Sequence, residues 1–166
     1  MSRFDFTVRS VWDLNVSLAL QMAERGDTHN AEATLRQCVQ HGDRRSAAIA
    51  ALNLGLVLLN KGDLDGADEA FAHGLTSDDP EVIARSGLNL GKMRHERNNP
   101  KGALAAFQSA VGAGPSSLLP FAQLLLGAAL ETNGELHQAR GVYELAAASS
   151  DCAVADQAKK LLVKGK

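Results

Sequence analysis

A short pattern recurs along the chain at a fixed spacing of 36 residues. Each copy has a Leu-Gly or Leu-Ala pair, an alanine twelve residues after that pair, and a large side chain four residues later. The four copies are Leu18-Ala19 with Ala31 and Leu35, Leu54-Gly55 with Ala67 and Phe71, Leu90-Gly91 with Ala103 and Phe107, and Leu126-Gly127 with Ala139 and Tyr143. A period between about 20 and 50 residues indicates stacked structural units, because each unit buries its apolar face only against its neighbours.

Each unit is predicted to contain two helices joined by a short turn. The turns lie at Gly26-Asp27, Gly62-Asp63, Asn98-Asn99 and Asn133-Gly134. A Gly or Asn can adopt the left-handed conformation that ends a helix, and an Asp or Asn after it can cap the next helix. The predicted helices span 8–25, 28–41, 44–61, 64–76, 80–97, 100–112, 118–132, 136–149 and 152–164.

The helix starts predict where the units begin. Thr7 aligns in the period with the N-cap candidates Asp43 and Asp79, so the first helix is expected to begin near it. Pro120 fits only the first turn of a helix, and Ser117 is therefore the expected cap in the fourth unit. The predicted units, called repeats 1 to 4 below, span 7–42, 43–78, 79–114 and 115–150.

Both ends of the chain differ from the repeating units. Residues 1–6, which include Phe4 and Phe6, are expected to form either a disordered tail or a flap packed on the array. Residues 151–166 are expected to form a C-terminal capping helix, because a fifth first helix begins there without a second helix after it. Its polar side would carry Lys159, Lys160 and Lys164.

The recurring Leu-Gly, Ala and aromatic positions resemble the tetratricopeptide repeat (TPR), whose pattern is W-x2-L-G-x2-Y, then A-x3-F and P. The resemblance extends over about Thr7 to Asp151. It implies an all-α fold, a right-handed superhelical solenoid of four TPR-like helix-turn-helix repeats followed by the capping helix. It also implies that the glycine and alanine let the two helices approach closely and that the aromatic ring fills the gap between repeats.

Two features depart from the family pattern. The period is 36 residues, whereas the family period is 34, and the two additional residues are expected between one repeat and the next. The position of the family tryptophan, four residues before the glycine, holds Asn15, Ala51, Gly87 and Gln123. A Sel1-like helical pair is the alternative, although the chain has none of the longer Gly-rich loops of that variant.

Composition and motifs argue against several other functions. A formal net charge of −2 and 4% aromatic residues do not favour nucleic-acid binding. The longest apolar run, 124–130, is too short to span a membrane, and the first ten residues lack the apolar segment of a signal peptide, so a cytoplasmic protein is expected. No nucleotide-binding loop, hydrolase motif or metal-binding motif occurs, so we expect no enzymatic activity and no cofactor or metal. Cys38 is expected to be a small buried residue.

The resemblance assigns partner binding to a concave groove that the first helix of each repeat lines. At about 100° per residue, the side of each first helix that points away from the second helix follows from the position of the Leu-Gly pair. The predicted partner-binding residues on that side are Asn53, Leu56, Asn60, Arg85, Asn89, Lys92, Phe121 and Leu125. Asn53 and Asn89 occupy equivalent positions, and an amide both donates and accepts hydrogen bonds, so the two are expected to hold the backbone of an extended peptide.

The remaining predicted site residues supply charge and apolar surface. Arg85 and Lys92 are expected to receive a carboxylate. Phe121, together with Leu124 and Leu125, is expected to form an apolar anchor pocket.

The carboxylate clamp of chaperone-binding TPR proteins is incomplete in this chain. Asn53, Arg85 and Asn89 fall on clamp-like positions, but Val16 and Leu20 replace the Lys and Asn of the first repeat. The resemblance therefore does not favour a chaperone tail as the ligand. A basic segment in the third repeat is predicted to be a solvated helix end and not a nucleic-acid site, since no stacking aromatics accompany it. It contains Lys92, Arg94, His95, Arg97 and Lys101.

Two functional hypotheses remain. In the first, the protein is a non-enzymatic adaptor or scaffold that binds a peptide or partner protein in the groove. In the second, it is a structural module that self-associates weakly, and its apolar groove residues are covered by a second copy or by Phe4 and Phe6. The groove residues concerned are Ile49, Leu56, Phe121 and Leu125.

Overall fold

A computed structural model describes residues 10–114 and 117–164 of the chain. Within these residues it contains nine helices and no strand. The helices are α1 Val11–Glu24, α2 Thr28–His41, α3 Arg44–Lys61, α4 Leu64–Gly74, α5 Pro80–Glu96, α6 Pro100–Gly112, α7 Leu119–Thr132, α8 Leu136–Ala147 and α9 Cys152–Lys164. The fold is therefore all-α, as the 36-residue period predicts.

The helices are arranged in two layers. Every helix packs against the next one in sequence, and each odd-numbered helix also contacts the next odd-numbered helix. Over the described ranges, the even-numbered helices do not contact each other. The odd-numbered helices are therefore the more closely spaced layer, which is the inner layer of a curved array. This arrangement is an all-α repeat solenoid, and the odd-numbered helices are the predicted first helices.

The predicted turns between the two helices of each repeat are present. The left-handed residues are Gly26, Gly62, Asn98 and Gly134, with φ of 86°, 82°, 57° and 82°. Only a glycine or asparagine adopts this conformation at little cost. The predicted caps of α2, α4 and α6 accept backbone hydrogen bonds from the residue three positions later; they are Asp27, Asp63 and Asn99.

Two helix starts differ from the prediction. α1 begins at Val11, because Ser10 is its N-cap and accepts a hydrogen bond from the backbone N–H of Trp12 at 3.1 Å. The expectation of a start near Thr7 was wrong, although Thr7 itself and the flap or tail predicted over residues 1–6 lie outside the described residues. α7 begins at Leu119 without a side-chain cap, and Ser117 instead donates its hydroxyl hydrogen to Glu81 at 2.9 Å.

The recurring spacing of glycine and aromatic residue has a direct structural cause. A Cβ built on Gly55 would lie 2.5 Å from Cε1 of the Phe71 ring, which is far inside van der Waals contact. Gly91 is covered by Phe107 and Gly127 by Tyr143 in the same way. The ring thus lies on the glycine of its own repeat, whereas the resemblance placed it in the gap between repeats. The alanine of each pattern, for example Ala67, is fully buried beside this contact.

The core runs along the length of the array between the two layers. One cluster of buried side chains extends from α1 to α6, and a second extends from α5 to α9. Cys38 is fully buried, as predicted, and burial raises the pKa of its thiol. α9 buries Val154, Ala155 and Ala158 and exposes Lys159 and Lys160, as expected for a capping helix. None of the described helices is long and apolar enough to cross a membrane.

Candidate functional site

A depression of about 310 Å³ lies between α3, α5 and α7 on the inner layer. Its lining residues are Leu52, Asn53, Leu56, Arg85, Leu88, Asn89, Lys92, Leu118 and Phe121. Six of the eight predicted partner-binding residues are among them. We call this depression the central groove. It brings together residues from repeats 2, 3 and 4, so three successive units contribute to one surface.

A second depression of about 220 Å³ continues from the central groove between α5 and α7. Lys92 lines both depressions, and Leu125, the seventh predicted residue, lines only the second. The eighth predicted residue, Asn60, is exposed near the end of α3 and lines neither depression. We call the second depression the side pocket. Its walls are mainly apolar and include Phe107, Leu125, Ala128 and Ala129.

The accessibility of these residues agrees with the predicted helical phase. None of the eight predicted residues is buried, and Leu56 is 38% exposed. The neighbouring residues Leu54 and Leu58, on the other side of α3, are buried. Leu124 was wrongly included in the apolar anchor pocket, because it is only 3% exposed and belongs to the core.

The two equivalent asparagines line the central groove from neighbouring helices. The Nδ2 group of Asn53 donates a hydrogen bond to the backbone carbonyl of Ile49 at 2.8 Å, one turn earlier in α3. This bond fixes the orientation of the amide and leaves its carbonyl oxygen and its second N–H as hydrogen-bonding groups. Asn89 makes no side-chain hydrogen bond with any other described residue and is partly exposed. Two amides with donors and acceptors therefore stand side by side on the groove wall.

Arg85 already faces a carboxylate of its own chain. Its Nε atom lies 3.2 Å from Glu81 Oε1, one turn earlier in α5. Glu81 also accepts hydrogen bonds from the hydroxyl and the backbone N–H of Ser117, at 2.9 and 3.3 Å. The Ser117 hydroxyl, with help from Arg85, holds the pKa of Glu81 below its usual value. Of the two cations predicted to receive a ligand carboxylate, Arg85 is thus the one partly neutralised by Glu81.

Lys92 is the cation at the junction of the central groove and the side pocket. Its Nζ atom lies 5.0 Å from the centre of the Phe121 ring. A cation over an aromatic ring at an exposed site gains roughly 0.5–1 kcal/mol. This contact holds the lysine against α7 and places a positive charge beside the apolar surface of Phe121.

The basic segment of the third repeat is not a uniformly solvated helix end. Arg94 donates two hydrogen bonds to the carboxylate of Asp68 in α4, at 2.8 and 2.6 Å, and its side chain is only 25% exposed. Arg97 pairs with Asp65 at 2.7 Å. These contacts lower the pKa of Asp68 and raise that of Arg94. Two of the basic residues therefore join α5 to the preceding repeat on the side away from the central groove.

Sequence reasoning missed this pairing, although the period contains a signal for it. The position of Arg94 holds Met22, Leu58 and Leu130 in the other repeats. A charged residue at an otherwise apolar position needs a partner of opposite charge nearby. The groove contribution of Leu118 and the hydrogen bond from Ser117 to Glu81 were also missed, because both residues lie in the irregular link before α7, where no periodic pattern applies.

The first repeat offers few polar groups at the clamp-like positions, as the sequence indicated. Val16 is buried and Leu20 packs against the core.

The five histidines are all exposed. Over residues 10–114 and 117–164, no group of three or more His, Cys, Asp or Glu side chains is arranged to hold a metal ion.

Comparison with known proteins agrees with this architecture. Two solved structures titled "Crystal structure of MamA protein" and "Crystal structure of MamA" are each 18% identical to the chain, with TM-scores of 0.62 and 0.60. The alignments cover 93% of this chain and 85% of the first structure, and 95% and 93% for the second. A third, "MamA RS-1 ArsTM double mutant", has a TM-score of 0.63 at 17% identity and covers 93% of both chains. These similarities show the fold.

A search of curated proteins finds no match to the chain. A family model described as "Tetratricopeptide repeat" matches residues 18–82 and 88–151, which together make up most of the sequence. Repeats of this family generally act as protein-interaction modules. With the pairs of helices, the contacts between glycine and aromatic ring, and the groove described above, this match shows that the chain belongs to the tetratricopeptide repeat family.

Proposed function

We propose that the protein is a non-enzymatic scaffold that binds an extended peptide segment of a partner protein in the central groove. The observation that carries this proposal is the gathering of two asparagines, a lysine and exposed apolar side chains on one concave surface formed by α3, α5 and α7. Proteins recognise extended peptides with this combination of backbone-directed polar groups and side-chain pockets. The cytoplasmic location expected from the sequence stays a prediction.

Each part of the surface has a distinct role in the proposal. Asn53 and Asn89 hydrogen-bond the backbone of the peptide, so they contribute affinity without selecting a side chain. Leu56 and Phe121 contact its apolar side chains in the central groove. Lys92 attracts an acidic group on the peptide, because within the described residues it contacts the Phe121 ring and makes no ion pair with an acid.

The same surface favours binding over catalysis. Catalytic sites bring together titratable groups with shifted pKa values. Around the central groove, the one acid with a lowered pKa is Glu81, and Ser117 and Arg85 already engage it. The arrangement supports recognition of a ligand, because Glu81 and the Ser117 hydroxyl already hydrogen-bond each other at 2.9 Å and join two neighbouring repeats.

Affinity capture from a native lysate tests the proposal. We expect the Asn53→Ala, Asn89→Ala double variant to lose most of the partner that the unmodified protein captures, because two backbone hydrogen bonds are lost. A matched control is Gln37→Ala with Gln108→Ala, which removes two exposed amides from even-numbered helices. Equal capture by the two double variants would refute the groove site.

Self-association is the other outcome that the experiment must detect. Sedimentation velocity at two protein concentrations distinguishes a monomer from a dimer whose groove is covered by a second copy. A concentration-dependent dimer that dissociates on Phe121→Ser would replace the peptide-binding proposal.

A further inference from the structure

The side pocket lies where repeat 4 has smaller side chains than the other repeats. Ala128 and Ala129 of α7 form part of its wall. The equivalent residues in the other three repeats are all larger; they are Leu20, Leu56 and Lys92 for Ala128, and Gln21, Val57 and Met93 for Ala129. Met93 is only 2% exposed and belongs to the same buried cluster as Phe71, the equivalent of Phe107. α7 therefore leaves open a volume that a side chain fills in the preceding repeat.

The row of polar groove residues also ends at repeat 4. Leu125 occupies the position of Asn53 and Asn89 and lines only the side pocket. An amide can hydrogen-bond a peptide backbone, whereas a leucine offers only apolar contact. The inner surface thus changes from amide groups on α3 and α5 to an apolar pocket on α7.

The size and walls of the side pocket suit one aromatic side chain. The volume of the pocket is about 220 Å³, and an apolar cavity of about 150 Å³ is sufficient to bind benzene. Phe107 and Leu125 form apolar walls together with the two alanines. An aromatic ring fills such a space with little loss of conformational freedom, and it gains further from contact with another ring.

The charges around the side pocket indicate where an acidic group of the same ligand would lie. Lys92 lines both depressions, and its Nζ atom lies over the Phe121 ring, which lines the central groove. Glu96, one turn later in α5, is exposed and lines only the side pocket. A ligand carboxylate is repelled by Glu96 and attracted by Lys92, so it approaches the lysine from the central groove.

The geometry of an extended peptide relates these two subsites. Side chains two residues apart face the same way and are separated by about 6.6 Å. The central groove and the side pocket adjoin each other at Lys92. An extended peptide can therefore place an acidic side chain at Lys92 and a second side chain from the same face in the side pocket.

We propose that the side pocket binds one aromatic side chain of the peptide and that Lys92 binds an acidic side chain two residues away from it. The inference rests on the proposed function, because it requires a peptide backbone held by Asn53 and Asn89. It specifies the ligand as an extended segment with an acidic and an aromatic residue on one face. These two side chains select the partner, whereas the asparagines contribute affinity to any peptide.

Selection from a library of short random peptides displayed on phage tests this specificity. We expect peptides selected on the unmodified protein to carry an aromatic residue two positions from an Asp or Glu. Replacement of that aromatic residue by alanine in a selected peptide should weaken binding at least about tenfold, as measured by isothermal titration. Selection on Lys92→Glu should retain the aromatic residue and lose the acidic one.

Two variants fill the side pocket with residues that the chain has at equivalent positions. Ala129→Met copies Met93 of α5, and Ala128→Leu copies Leu56 of α3. Each should bind the selected peptide at least about tenfold more weakly than the unmodified protein does. Each should bind the alanine form of the peptide as the unmodified protein does. Because Ala128 is exposed, Ala128→Leu provides the test if Ala129→Met does not fold.

The matched control for these variants is Val57→Met. It places a methionine at the position of α3 equivalent to Ala129, and Val57 lines neither depression. This variant should bind the selected peptide like the unmodified protein.

The outcomes distinguish this inference from the proposed function. Selected peptides that depend on Asn53 and Asn89 but show no preference for an aromatic residue would overturn the assignment of the side pocket alone. Equal affinity of the selected peptide for the unmodified protein and for Ala128→Leu would overturn it as well. Failure of the unmodified protein to select any peptide would instead refute peptide binding in the central groove, and this inference with it.

Discussion

The two faces of the odd-numbered helices differ in how they follow the 36-residue period. On the face toward the even-numbered helices, the contact of Gly55 with Phe71 recurs at Gly91 and Gly127. On the groove face the residues change from repeat to repeat. The position of Leu56, for example, holds Leu20, Lys92 and Ala128 in the other repeats.

This difference separates folding from recognition. A contact that recurs must satisfy the same packing geometry each time, so it specifies how the units stack. A position that varies on an exposed concave surface is not constrained by stacking and can distinguish one ligand from another. Substitutions on the two faces should therefore have opposite effects on stability and on binding.

The largest loss of stability is expected at a glycine that an aromatic ring covers. Gly55→Ala places a Cβ 2.5 Å from the Phe71 ring, and the ring can move only by disturbing the core around it. Overpacking of this kind costs about 1–3 kcal/mol of unfolding free energy. Urea denaturation followed by circular dichroism measures the loss.

The matched control for this change is Gly141→Ala. Gly141 lies within α8, and a Cβ there would meet no atom within 4 Å. The alanine should stabilise the helix by about 0.5–1 kcal/mol, because it restricts the unfolded chain and favours helix. If the two substitutions changed stability equally, packing against the Phe71 ring would not require glycine at position 55.

A smaller loss of stability is expected at the ion pair of Asp68 and Arg94. Asp68→Leu removes the carboxylate that pairs with Arg94, and the Arg94 side chain is only 25% exposed. Because both side chains are partly solvated, we expect a loss of about 1–2 kcal/mol. The double variant Asp68→Leu, Arg94→Leu has leucine at both positions, as the chain has one repeat later at Leu104 and Leu130. It should regain at least the stability of the unmodified protein in urea denaturation, and a double variant weaker than the single one would contradict this account.

The dependence of stability on acidic pH tests the contribution of the N-cap of α3. Asp43 caps α3, and hydrogen bonds from the backbone and hydroxyl of Ser46 lower the pKa of its carboxyl from 3.8 to about 2. A carboxyl with a lowered pKa stabilises the folded state above pH 3.8, and that contribution is lost as the pH falls toward about 2. Asp43→Asn keeps an oxygen for the cap but does not titrate. Its urea midpoint should therefore decline less between pH 4 and pH 2 than that of the unmodified protein, and equal declines would show that Asp43 does not contribute.

Most of the fold was predictable because local and periodic signals agree. The left-handed Gly62 and the cap at Asp63 occur where turn chemistry places them. The start of α7 was not predictable in the same way, because Ser117 interacts with Glu81, which is one full repeat earlier in the chain. Such a contact depends on how neighbouring repeats are stacked. The boundaries proposed for the four repeats stay a prediction.

The candidate site was predictable in its positions but not in its interactions. Helical phase placed Asn53, Asn89 and Lys92 on one surface, and the structure brings them to one groove. The phase could not show that Glu81 engages Arg85 or that Phe121 lies beneath Lys92. These contacts depend on side-chain conformations between helices, for which one helix alone carries no signal. Of the two cations expected to receive a carboxylate, Arg85 and Lys92, they leave Lys92 as the main centre of positive charge.

The groove face should show the smallest change in stability and the largest change in binding. Lys92→Glu reverses the charge at the junction of the central groove and the side pocket. Lys101→Glu makes the same charge change on α6, outside both depressions. Both are surface substitutions, so each should change the unfolding free energy by only about 0.5 kcal/mol.

The most direct test of the central claim compares how the two lysine variants bind a peptide mapped from the captured partner. Isothermal titration of that peptide should show a loss of at least about tenfold in affinity for Lys92→Glu, equivalent to about 1.4 kcal/mol. Lys101→Glu should bind like the unmodified protein. Equal affinities of the two variants would contradict the assignment of partner binding to the central groove.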